Sequence, residues 1–126
     1  FVHGAVLPGH VQAGLRLLNE QARAWMRGEL KRIPVGLAGD DSVIWSRAYG
    51  EDGVQPATCE ALARVLDGLK VKRIVVGHTV QKNGITSACG ERGWRNEVGL
   101  ARHYGGQTPV LEIRGRSVRA LTAAGE

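Results

Sequence analysis

With 126 residues, the chain is long enough for one small domain and its core, and too short for two. Hydrophobic residues make up 43% and charged residues 23%, and no apolar run approaches the ~20 residues of a membrane helix, so no membrane partner is expected. The net charge of +5 would suit a nucleic-acid binder, but the basic residues are scattered (Arg16, Arg23, Arg27, Lys70, Lys72, Arg73, Arg114, Arg116) with no interleaved aromatics to stack on bases. They read as a solvated surface, and no nucleic-acid partner is expected.

The chain opens on an apolar pair, Phe1-Val2, that reads as the end of a core strand, followed at once by His3-Gly4. A strand needs neighbours, and one with no lead-in leads to the expectation of a partial sequence. Pro8-Gly9 marks a turn. Val11, Leu15, Leu18, Ala22, Trp25, Met26, Leu30 and Ile33 then recur at three- and four-residue spacing, which predicts one long helix with a core-packing face, ended by Pro34. A loop from Gly36 to Ser42 follows, then a short apolar piece at Ile44-Trp45 and a turn at Glu51-Asp52-Gly53. A second helix is predicted from about Thr58, its N-cap, with Leu62, Val65, Leu66 and Leu69 as the apolar stripe.

From Val71 the pattern turns to strands. Arg73 to Val76 reads as buried, Gly84 to Cys89 as the next strand, Gly90 to Gly93 as a turn, and Trp94 to Gly99 as a third. Pro109 to Ile113 and Ser117 to Leu121 flank Arg114-Gly115-Arg116 as a hairpin. The class is α/β. Cys59 and Cys89 lie thirty apart without a CxxC pattern and read as reduced core cysteines, compatible with a cytoplasmic protein; no signal peptide is visible.

The chemistry concentrates on two histidines. In Arg73-Ile74-Val75-Val76-Gly77-His78-Thr79 a β-branched strand ends in glycine, and an imidazole is delivered at its carboxyl end, where sites of open α/β sheets lie. His3 has the same setting, an apolar strand on one side and a glycine on the other. A lone histidine after a strand is more often a hydrogen-bonded structural residue; the matched pair predicts two imidazoles converging within a few ångströms as metal ligands. His10 and His103 sit in polar surroundings and read as solvent-exposed. Asp40 and Asp41 read as solvated acids in a glycine loop, and Tyr104 as packing at a turn.

Five blocks in order resemble the C-terminal part of a calcineurin-like metallophosphoesterase, in the branch of Shewanella-like protein phosphatases. Phe1 to Pro8 is similar to an "FVHGG" strand and loop, Val43-Ile44-Trp45-Ser46-Arg47 to a tryptophan-x-arginine segment, and Val75 to Gln81 to "VVGHTxQ". Cys89 to Trp94, Glu97 to Leu100 and Tyr104-Gly105-Gly106 resemble the closing region, and Pro109 to Ile113 the terminal hairpin. The family's HGG stands here as His3-Gly4-Ala5, and its late aspartate as Glu97. Three upstream family motifs (aspartate-x-histidine, GDxxDRG and GNHE) are absent from these residues.

The resemblance implies that residues 1–126 form the C-terminal portion of a two-sheet α/β sandwich, lacking the N-terminal half that carries those motifs. It implies a fragment of a phosphoesterase or protein phosphatase that hydrolyses phosphate monoesters with a metal-activated water. Two divalent cations would be needed, and imidazole suits manganese, iron and zinc alike. His3 and His78 would ligate the second metal, with the other ligands outside this chain, so the chain alone is expected to be inactive or nearly so. Arg47 would bind phosphate, its alternative being a surface salt bridge. The implied partner is a phosphorylated substrate, protein or small ester. The other function class left open is a non-catalytic basic binding module that retains the fold.

Overall fold

The computed structural model describes residues 1–105 and 108–123. It is a mixed α/β fold, consistent with a portion of an α/β sandwich. The elements run α1 (Pro8–Ala13), α2 (Leu15–Met26), α3 (Pro56–Leu69), β1 (Ile74–Val76), β2 (Thr86–Ala88), β3 (Gly93–Arg95), β4 (Val110–Arg114) and β5 (Ser117–Leu121), with single 3-10 turns at Val35–Leu37 and Arg102–Tyr104. The order in the main sheet is β1-β3-β2, with β1 and β3 parallel and β2 antiparallel to β3. The Phe1-Val2 segment joins this sheet beside β1 by one parallel bridge, Val2 to Val76, instead of a full strand.

Alternation along β1 sets the layers. Ile74 and Val76 face one way, into a cluster formed with Ala5, Val6, Tyr49, Leu62, Val65 and Leu66. Val11 and Leu15 of the first two helices also pack on it, so those helices and the apolar strand share one core, as the sequence predicts. Leu62 and Val65 are completely buried. α3 starts at Pro56, two residues earlier than expected, because a proline fits the first helical turn, where its missing N–H is not needed. It ends where Lys70 turns left-handed (φ 54°) and the Val71 N–H reaches Leu66 O at 3.0 Å. The expected hairpin is present as β4–β5, which pairs Val110 with Leu121 through Arg114 with Ser117.

Three expectations are corrected. The single long helix is two: Gly14 adopts φ 91°, outside the helical region, and separates α1 from α2. α2 then stops at Met26, ahead of Gly28 (φ 77°), not at Pro34. The periodic stripe is therefore not all core. Leu18 is buried, over Gly36, whereas Trp25, Met26, Leu30 and Ile33 are exposed. Finally, Cys59 and Cys89 are not free thiols. α3 packs against the sheet so that its first turns lie beside the turn after β2, and the two cysteines form a disulfide with Cα atoms 5.3 Å apart. Spacing along the chain carries no trace of that approach, and the pairing removes the cysteine argument for a reducing compartment. Among the described residues, no helix is long and apolar enough to cross a membrane.

Candidate functional site

The carboxyl end of β1 and the end of the first segment lie side by side, because Val2 pairs with Val76 and the Gly77 N–H donates to His3 O at 2.9 Å. The following residues are thereby brought together. The His3 and His78 rings have centroids 5.0 Å apart and planes tilted by 56°. The convergence expected from the two matched strand ends is present.

His78 has an unusual backbone. Its φ is 62°, and the Thr79 N–H donates back to Gly77 O at 2.7 Å, closing a three-residue turn with the histidine at its centre. A non-glycine residue held at positive φ is uncommon and concentrates at functional sites. Its Nε2 is buried and has no hydrogen-bond partner. Burial pushes its pKa below the ordinary histidine value, and the nearby Arg47 and His3 act in the same direction. The ring is thus held neutral near pH 7, with one nitrogen carrying a lone pair, the state in which imidazole binds a metal.

The segment from Val43 to Asp52 crosses over this pair without forming a helix or strand. Gly4 anchors its start, donating its N–H to Val43 O at 2.8 Å. Trp45 stands edge-on to the His78 ring, centroids 5.3 Å apart at 84°, a favourable edge-to-face arrangement. Arg47 is exposed, and among the described residues it makes no ion pair. Beside His3 an open cleft of about 350 Å³ runs between Phe1, Val75 and Asn96 to Glu97. The Glu97 carboxylate turns away to accept the Gly99 N–H at 2.8 Å.

Do these residues fit a divalent cation? Two nitrogens bound to one metal at ~2.1 Å lie roughly 3–4 Å apart, a separation that rings at this centroid distance can reach. The buried, unpartnered Nε2 of His78 is the donor such an ion needs. No group of three or more histidine, cysteine, aspartate or glutamate side chains that could hold a metal ion is assembled among the described residues.

Other sequence readings fare unevenly. His103, Asp40 and Asp41 are exposed as expected. His10 is not: it is half-buried, and its Nδ1 accepts the Leu7 N–H at 2.9 Å, capping the start of α1. Tyr104 is exposed, stacked edge-on with His103, although its side chain covers Gly99. Gly106 lies outside the described residues. Sequence reasoning passed over Trp45 as a ring partner and over two buried polar residues, Gln81 and Arg95. A signal for the second was present: an arginine beside Trp94 in an otherwise apolar strand must find partners if it is buried.

No family model matches the chain, and no solved structure matches it. An uncharacterized protein of Schizosaccharomyces pombe is 33% identical over 81 residues, covering 64% of this chain and 24% of that protein. The chain spans a third or less of the length of the curated relatives it matches. Over 98% of its length it is 37% identical to the Shewanella-like protein phosphatase 2 of Arabidopsis thaliana, covering 33% of that protein, which links it by sequence to a phosphatase.

Proposed function

We propose that this chain is the C-terminal part of a calcineurin-like phosphoesterase of the Shewanella-like phosphatase branch, and that it supplies one side of a phosphate-monoester hydrolysis site. The observation that carries the reading is His78: a half-buried imidazole at positive φ, neutral near pH 7, with a buried and unpartnered Nε2, facing His3. His3 and His78 would together hold one of two divalent cations (manganese, iron or zinc), with carboxylate and further ligands from outside this chain. Such a cation supplies charge neutralisation for the phosphate and a lowered pKa for water.

The chain's own residues do the rest. Arg47 presents a planar fork of donors that matches two phosphate oxygens at once, so it binds and orients the substrate. Trp45 restrains the His78 ring and its bulk shields that side of the site from water. The substrate class is a phosphorylated protein or a small phosphate ester, and the similarity to a phosphatase supports this choice.

The test uses the full-length protein that contains this segment. Manganese-dependent hydrolysis of p-nitrophenyl phosphate is expected, lost in His78→Ala together with manganese binding measured by calorimetry. Arg47→Ala should raise KM, with a smaller loss of kcat, because it clamps charge and does not retain the metal. Full activity and full manganese affinity in His78→Ala would overturn the assignment.

A further inference from the structure

Arg47 and Trp45 lie on a segment with no regular secondary structure, yet the proposed role of Arg47 demands a fixed position. Something must hold that segment. Three consecutive carbonyls just beyond Arg47 are each taken by a side-chain donor from the sheet side. Arg95 Nε donates to Tyr49 O at 2.9 Å, Gln81 Nε2 to Gly50 O at 2.8 Å, and Arg95 Nη2 to Glu51 O at 2.8 Å. Gly50 and Glu51 in turn donate their N–H groups to Arg47 O at 2.9 and 3.2 Å. The chain of bonds therefore runs from β3 and from the loop after His78 directly into the turn that begins at Arg47.

Both donors are costly to bury. Arg95 and Gln81 are each 7% exposed, and the carboxylate that pairs with Arg95 among the described residues, Asp52 at 3.4 Å, is almost wholly in solvent. A buried guanidinium satisfied mainly by neutral carbonyls is a poor way to stabilise a core, since an apolar residue of similar volume often does as well. It is a good way to fix a backbone that has no ladder of its own, because its donors point in fixed, divergent directions. Gln81 is itself locked: its Nε2 also reaches Thr79 O at 3.0 Å, its Oε1 accepts from Thr86 Oγ1 at 3.1 Å, and its N–H donates to Glu97 O at 2.7 Å. It stands three residues from His78, so the same short stretch carries the imidazole and the clamp.

We propose that Arg95 and Gln81 are positioning residues, which hold the carbonyls of Tyr49, Gly50 and Glu51 so that Arg47 and Trp45 stay registered against His3 and His78. The inference rests on the phosphate-binding role proposed for Arg47, and it assigns the substrate-orienting geometry to residues that touch neither substrate nor metal.

A double-mutant cycle in the full-length protein tests it. Arg95→Lys keeps the charge but loses the fork, and Gln81→Met keeps the volume but loses the donor; Gln81→Met keeps the test open should the arginine variant fail to fold. The readouts are KM and kcat for p-nitrophenyl phosphate, the inhibition constant of inorganic phosphate, and the thermal midpoint. Each single variant should raise KM and the phosphate constant by about 10-fold, the equivalent of one lost hydrogen bond or a small misplacement, with a lesser fall in kcat. In an Arg47→Ala background the same substitutions should add less than about 2-fold, because the group they position is gone. Equal fold-changes in both backgrounds, or a lowered midpoint with unchanged KM, would overturn the clamp. An Arg47→Ala enzyme with unaltered KM and phosphate constant would instead overturn the role given to Arg47 itself.

Discussion

Gly4 is where the two halves of the candidate site are pressed together, so adding one methyl group there is an informative perturbation. A Cβ on Gly4 would lie 2.6 Å from Ile44 O, 2.8 Å from Ile44 C and 2.9 Å from Ser46 O. All three atoms are backbone and none can rotate away. Relief requires the segment carrying Trp45 and Arg47 to retreat by a substantial fraction of an ångström, and this pulls on the Gly4 N–H bond to Val43 O at 2.8 Å. Overpacking of this kind costs about 1–3 kcal/mol, and leaving a buried backbone pair unmade adds about 1–3 kcal/mol. Against this stands about 0.4–1 kcal/mol gained by stiffening the unfolded chain, available because Gly4 has no positive φ. The net expectation for Gly4→Ala is a loss of about 3 kcal/mol. Gly9 supplies the control: it lies in α1 with no atom within 4 Å of its Cβ position, so Gly9→Ala should be neutral or stabilising by up to about 1 kcal/mol. Thermal melts followed by circular dichroism, with phosphate inhibition constants measured on the same full-length samples, decide the matter. Gly4→Ala should melt well below wild type and bind phosphate at least about 10-fold more weakly, as expected for a displaced Arg47. A Gly4→Ala protein that matches Gly9→Ala in both measurements would refute the reasoning.

Two further outcomes follow from the same structure. The Cys59–Cys89 link closes a loop of thirty residues, for which the chain-entropy model gives about 3–4 kcal/mol, so Cys59→Ser with Cys89→Ser, or treatment with a thiol reductant, should lower the melting point clearly; an unchanged melt would mean that the pairing adds nothing. His10 and His78 are both held below their ordinary pKa of 6.5, chiefly by burial, so the unfolded chain binds protons near pH 6.5 that the folded chain refuses. Stability should be complete above that value and fall as pH drops through 6.5 toward the folded pKa values, and His10→Asn should flatten the decline; a melting point that rises between pH 7.5 and 5.5 would contradict the assignment.

How much of this was legible in the sequence depends on how local the determining physics is. The strand Ile74–Val76, the stripe of α3, the turn at Gly90 and the terminal hairpin were readable, because apolar period and turn residues act over a few positions. The placement of His3 beside His78 was readable too, since two apolar segments with matching contexts that pair parallel, as Val2 does with Val76, emerge at the same edge. Where the reading failed, a nonlocal or conformational fact intervened. Nothing in the apolar spacing from Val11 to Ile33 announces that Gly14 will leave the helical region, and once it does, the stripe beyond Leu18 loses its partner layer and surfaces as Trp25, Met26 and Leu30. The disulfide depends on how α3 lies across the sheet, a packing angle that no thirty-residue spacing encodes.

The candidate site divides along the same line. The histidines were visible because their chemistry is carried by residue type at strand ends. The devices that aim them were not, because they act through the backbone: a positive φ at His78, the absence of a Cβ at Gly4, and three carbonyls gathered by Arg95 and Gln81. A side chain that works by holding a carbonyl leaves only one trace in a sequence, a polar residue where burial is expected. Arg95 between Trp94 and the end of β3, and Gln81 after the apolar Val80, are both such residues. The cost of burying them is the argument that they act on geometry: evolution tolerates a buried guanidinium where a fixed loop is worth more than an apolar contact, and the loop fixed here is the one that carries Arg47.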